Sequence, residues 1–149
     1  MPHINIMKVL CITQFSEIGG TSRLHALQFL PHLKRDYGME IREVHIYSDE
    51  FFRIQMDLVE AGKKEKLFGL AKGLCLGLLK KISLAFRAAR YDVVFIQRET
   101  FPVILYKILR MINPHVVYQL EDAIYEISPF LAKSFLHRAL LRYQAHLCR

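Results

Sequence analysis

The stretch from Tyr91 to Tyr125 restricts what this chain can become more than any other. Asp92-Val93-Val94-Phe95-Ile96-Gln97 and Val116-Val117-Tyr118-Gln119-Leu120 are short apolar runs rich in β-branched and aromatic side chains, the composition of strands buried on both faces. Between them, apolar residues recur at helical spacing from Pro102 to Ile112. Asn113-Pro114 predicts the stop, because proline disfavours helical geometry in the residue before it. Strand, helix and strand in this order make a βαβ unit, whose right-handed crossover renders the strands parallel and brings their carboxyl ends to one rim. Gln97, Arg98 and Glu99 end the first strand, and Glu121 and Asp122 the second. Glu99, Glu121 and Asp122 are therefore expected to converge on the rim where open α/β sheets bind ligands. An equally simple reading makes Asp122 the cap of the next helical turn and leaves Glu121 solvated.

The rest of the chain continues the alternation. Met7 to Thr13 predicts a first strand and Gln14 to Gly20 a turn, after which Thr21 or Ser22 can cap a helix from near Arg23 to about Arg35. Pro31 is expected to kink that helix and Tyr37-Gly38 to end it. Gly19 and Gly20 would let the backbone approach a ligand, and the helix start would offer unpaired N–H groups to an anion. An ordinary turn has the same pattern, and the three spaced glycines of a dinucleotide site are absent. Glu40 to Tyr47 predicts a second strand, Ser48-Asp49-Glu50 opens a helix through Glu60, and Phe130 to Arg149 predicts a last helix after Pro129. The expected fold is α/β, a Rossmann-like parallel sheet with flanking helices.

Net charge is +7, and its placement is informative. From Ala61 to Arg90 there are eight bases and one acid, Glu65, whereas the remainder of the chain is balanced. An excess confined to one element points to a local anionic partner and away from nucleic acid, which requires a broader basic surface. Lys63 to Arg90 reads as a basic amphipathic helix. Its stripe of Leu67, Ala71, Leu74, Cys75, Leu78, Leu79, Ile82, Ala85, Phe86 and Ala89 is expected to pack on the sheet, with the bases solvated. Gly69, Gly73 and Gly77 repeat on another side. The competing expectation is docking on an anionic membrane surface through Lys72, Lys80, Lys81 and Arg87.

At 149 residues, just over half of them hydrophobic, the chain has material for a single domain-sized core. Cys11, Cys75 and Cys148 lack metal-type spacing and are odd in number, and His25 and His32 have no carboxylate at ligand spacing, so neither a metal nor a disulfide framework is expected. No leader pattern opens the chain, and no apolar run approaches the roughly 18 residues of a membrane span. A cytoplasmic location is expected, peripheral at the inner face of a membrane if the basic helix docks there.

Three ordered stretches resemble the N-terminal half of a family 4 glycosyltransferase of the GT-B fold. They are Met7-Lys8-Val9-Leu10 through Gly19-Gly20-Thr21-Ser22-Arg23, Tyr91 through Glu99, and Val116 through Tyr125. The resemblance implies that residues 1–149 form one Rossmann-like domain, the acceptor-binding half of an enzyme that transfers sugar from a nucleotide sugar to a glycan or lipid-linked acceptor. It also implies that Gly19, Gly20 and Thr21 face a cleft near the donor phosphates, with Gln97, Arg98, Glu99, Glu121 and Asp122 beside the acceptor. Gln119 and Glu121 stand where such proteins often carry aspartate; Asp122 matches directly. The resemblance assigns no catalytic residue. The family's donor domain carries two glutamates separated by seven residues, a pair absent here, so the nucleotide sugar is expected only with a second domain or a separate donor-binding chain. Arg142 to Cys148 resembles the approach to a further strand, and the domain is therefore expected to be incomplete at its C-terminus and inactive alone. A non-enzymatic membrane-surface or partner-binding module is the alternative. A receiver or phosphate-loop module fits less well, because Thr13-Gln14 replaces an acidic pair and no phosphate-binding loop with its lysine follows.

Overall fold

The computed structural model describes residues 6–20, 22, 26–61, 67–97 and 101–119. The chain divides into two compact units, Met1–Tyr118 and Gln119–Arg149. All described residues but Gln119 belong to the first. The predicted strand end at Leu120 and the helix expected over 130–149 lie outside the described residues.

Four strands, β1 (Lys8–Thr13), β2 (Glu40–His45), β3 (Val93–Gln97) and β4 (Val116–Gln119), run parallel in one open sheet ordered β2-β1-β3-β4. Among the described residues there are four helices, α1 (Leu30–Tyr37), α2 (Asp49–Ala61), α3 (Leu67–Arg87) and α4 (Val103–Ile112), with 3₁₀ turns at Leu27–Phe29 and Ala88–Arg90. This is the Rossmann-like α/β arrangement expected from the alternation, and β3, α4 and β4 form its predicted βαβ unit.

Side chains alternate across the sheet as strand geometry requires. Leu10, Ile12, Val94 and Ile96 meet Leu84 and Ala85 of α3 and Leu109 of α4 on one face. Cys11 and Ile41 meet Leu27 and Leu30 on the other. The chain moves one way from β1 to β2 and the opposite way from β2 to β3. Right-handed crossovers in opposite directions place α1 on one face and α3 and α4 on the other.

Polar contacts tie the amino ends of the strands. The Lys8 amide donates to Asp92 Oδ2 at 2.7 Å, and the Asp92 amide donates to the Lys8 carbonyl at 2.8 Å. Asn113, buried at the end of α4, donates through Nδ2 to the carbonyls of Ala88 (3.1 Å) and Tyr91 (2.7 Å) and accepts the His115 amide at 2.9 Å. The residue that ends α4 thereby locks it to the turn after α3 and to the start of β4.

Two expectations need correction. The continuous helix expected from near Arg23 to about Arg35 is interrupted at Ala26 (φ −130°, ψ −65°) and by the 3₁₀ turn Leu27–Phe29, so Pro31 lies in the first turn of α1, where its missing N–H would be unpaired in any case; α1 ends at Gly38, whose φ of 63° suits glycine. The larger correction concerns α3. Ala85 is the stripe residue buried against the sheet, but the large residues of the stripe do not pack there: Leu74, Leu78, Leu79 and Phe86 are exposed, together with Phe68 and Leu76. The glycine side faces inward instead. Gly69 approaches Ile54, Gly73 the Phe51 ring and Gly77 the Tyr47 ring. Absent side chains let α3 sit close to α2 and to the end of β2, which turns the hydrophobic stripe outward.

Candidate functional site

In an open α/β sheet the crevice for a ligand opens at the carboxyl ends of the strands, where the chain reverses its direction of travel. Here that switch point lies between β1 and β3. Thr13, the last residue of β1, is the register partner of both His45 at the end of β2 and Gln97 at the end of β3. Register partners project to the same sheet face. Thr13, His45 and Gln97 therefore form a polar row across the rim, on the face that α1 covers.

Thr13 and His45 are hydrogen-bonded to each other. The Thr13 hydroxyl donates its single proton to the Phe15 carbonyl at 2.8 Å. Its second contact, 2.7 Å to His45 Nδ1, must then be one in which the hydroxyl accepts. Neutral His45 consequently carries its proton on Nδ1 and presents Nε2 as an acceptor. Gln97 is 1% exposed; the residue is not without a partner, yet its Oε1 is a buried acceptor that receives no hydrogen bond. Sequence reasoning selected Gln97 and missed Thr13 and His45. Their shared position at the ends of two predicted parallel strands was the available signal.

The turn leaving β1 is compact. The Gly19 amide donates to the Ser16 carbonyl at 3.0 Å, and the Ser16 hydroxyl donates to Asp49 Oδ1 at 2.6 Å, joining the turn to the start of α2. The two glycines differ in kind. A Cβ on buried Gly19 would lie 3.0 Å from the Phe15 Cβ, whereas one on exposed Gly20 would meet nothing within 4 Å. Gly19 serves the packing of the turn, and Gly20 borders open space. Beneath the turn, Phe15 packs edge-on against Phe52 with ring centroids 5.0 Å apart, and Tyr47 stacks on Phe51 at 4.6 Å. Thr21, Arg98, Glu99, Glu121 and Asp122, all expected at this rim, lie outside the described residues.

The four bases expected at a surface separate in the structure. Lys72 and Arg87 are exposed. Lys80 is exposed as well, but its ammonium donates to the His45 carbonyl, directly beside the rim. Lys81 is buried, 6% exposed, with Nζ 5.6 Å from the Tyr47 centroid and 5.9 Å from that of Phe101. It lies on the glycine side of α3, so it belongs to the interior and not to a docking face. Among the described residues no three histidine, cysteine, aspartate or glutamate side chains gather as a metal site, and no helix is long and apolar enough to cross a membrane.

Fold and rim together define an α/β protein with an open Rossmann-like parallel sheet and a polar switch point. Comparison with known proteins found no family model, no curated protein and no solved structure that matches the chain.

Proposed function

We propose that this chain is the acceptor-binding half of a GT-B glycosyltransferase, holding a glycan or lipid-linked acceptor at the carboxyl rim while a separate domain or chain holds the nucleotide sugar. The observation that carries the reading is the turn at residues 14–20. It leaves β1 at the switch point and ends in Gly20, which faces open space. Thr13 and Gln97 are each 1% exposed, so the row fixes the strand ends and leaves the open position at Gly20 to face a ligand. The three motif stretches of the first and last strand regions add the resemblance described above. Sugar transfer by the chain alone is not expected, since the glutamate pair of the donor side is missing from it.

The direct test is a map of amide shifts in the isotope-labelled chain titrated with oligosaccharides, polyprenyl phosphates and nucleotide sugars. Acceptor-induced shifts at Gly19, Gly20 and Gln97 are expected. The variant Gly20→Leu should keep its melting temperature, because its side chain enters empty space, and should lose those shifts. Shifts confined to residues far from the rim, or turnover of a nucleotide sugar by this chain alone, would refute the proposal.

A further inference from the structure

The outward side of α3 and α4 is a two-helix surface of unusual composition. Phe68, Cys75, Leu79 and Phe86 follow one another at intervals of seven, four and seven residues, so they form a single line along α3. All are exposed, Phe68 at 81%, Leu79 at 62% and Phe86 at 61%. Beside α3 on the same sheet face packs α4, whose outward line holds Ile104 and Met111, 72% and 84% exposed. Exposed bases border both lines: Lys72 and Arg87 on α3, Lys107 and Arg110 on α4. Neither helix contains a single acidic residue. The acids of this unit sit mainly on β2 and α2, including Glu40, Glu43, Asp49, Glu50 and Asp57.

From this face we infer that α3 and α4 dock on the surface of a membrane rich in anionic phospholipid, with the phenylalanine and leucine line in the interfacial layer and the flanking bases at the phosphates. The inference concerns a surface distinct from the rim and holds whether or not the rim binds a sugar acceptor.

Charge selects lipid over the other occupants. A second copy placed face to face would oppose bases with bases and supply no carboxylate. The chain's own segment from Ile127 to Arg149 holds Lys133, Arg138, Arg142 and Arg149 and no acid, so it offers the same sign. An anionic bilayer supplies both missing ingredients, an apolar layer for the exposed rings and negative headgroups at its boundary. The inward glycines provide the mechanical reason: an α3 seated on Gly73 and Gly77 leaves its large residues pointing away from the domain.

The chain has no tryptophan, so single tryptophans report cleanly. Leu79→Trp and Met111→Trp replace exposed residues and should preserve the fold; Tyr37→Trp, at the end of α1 beneath the opposite sheet face, is the control. With vesicles of roughly one-third phosphatidylglycerol in phosphatidylcholine, emission from positions 79 and 111 should shift to shorter wavelength, while phosphatidylcholine alone should have little effect. Emission from position 37 should stay where it is. Lys72→Glu, Arg87→Glu and Lys107→Glu combined in the Leu79→Trp chain should weaken vesicle binding by about 100-fold or more, and salt above the physiological level should do so progressively. Three results would overturn the inference: emission at 79 and 111 already shifted without vesicles, which would mean that protein covers the face; no response to phosphatidylglycerol; or an equal response to neutral vesicles.

Discussion

Gly73 lies so close to the Phe51 ring that a Cβ would overlap Cδ2, and the ring has little room to yield because it stacks on Tyr47 at 4.6 Å. Gly69, one turn earlier, meets only the terminal Cδ1 of Ile54 at 3.0 Å, a flexible end. The two positions should respond oppositely to the same change. Gly69→Ala should raise stability by about 0.5–1 kcal/mol, as alanine favours helix. Gly73→Val should lower it by about 1–3 kcal/mol through overpacking. Leu79→Ser, on the exposed stripe, should stay within about 0.5 kcal/mol of the parent. Urea unfolding of the three variants checks this, and a large loss at Leu79 with tolerance at Gly73 would mean that the leucine stripe is the buried one.

The shared proton logic of Thr13 and His45 gives a spectroscopic expectation. Because Thr13 donates to the Phe15 carbonyl and accepts from Nδ1, long-range nitrogen–proton spectra should show neutral His45 protonated at Nδ1. Thr13→Val removes the acceptor. The ring should then lose that preference, and the unpaired Nδ1–H should cost about 1–3 kcal/mol of stability. Protonation at Nε2 in the parent chain would contradict the bonding described for the rim.

Burial pushes the Cys11 thiol up from 9.0 to about 12, with Glu43 adding to the shift and Lys34 opposing it. The unfolded chain ionises first as pH passes about 9, whereas the folded chain keeps the proton until about 12. Stability that is complete below pH 9 should therefore fall across this window, at up to about 1.4 kcal/mol per pH unit from this group. Cys11→Ala should flatten the decline measured by urea unfolding between neutral and alkaline pH; an unchanged slope would show that Cys11 does not carry it. Iodoacetamide should label exposed Cys75 well before Cys11.

Much of the sheet was legible in advance because its information is local. Short β-branched runs, the Asn113-Pro114 stop and the crossover rule together predict β3, α4 and β4 and the parallel sense of their strands. Gln97 as a site residue came from the family resemblance. Neither route reached Thr13 and His45, since their importance arises from register between strands 32 residues apart, which no local pattern encodes. Gly20 and Gly19 looked alike in sequence and differ only because Phe15 folds back against one of them.

The amino-acid sequence by itself determined the alternation of strands and helices, the parallel sense of the sheet and the concentration of positive charge in one element, because periodicity, chirality and composition act within a few residues. Which side of α3 faces inward was decided only by the tertiary structure. A hydrophobic stripe normally wins that contest, but here three glycines allow the backbone to approach Ile54, Phe51 and Tyr47 more closely than leucines could. The choice between the two faces depended on the shape of neighbours far away in the chain.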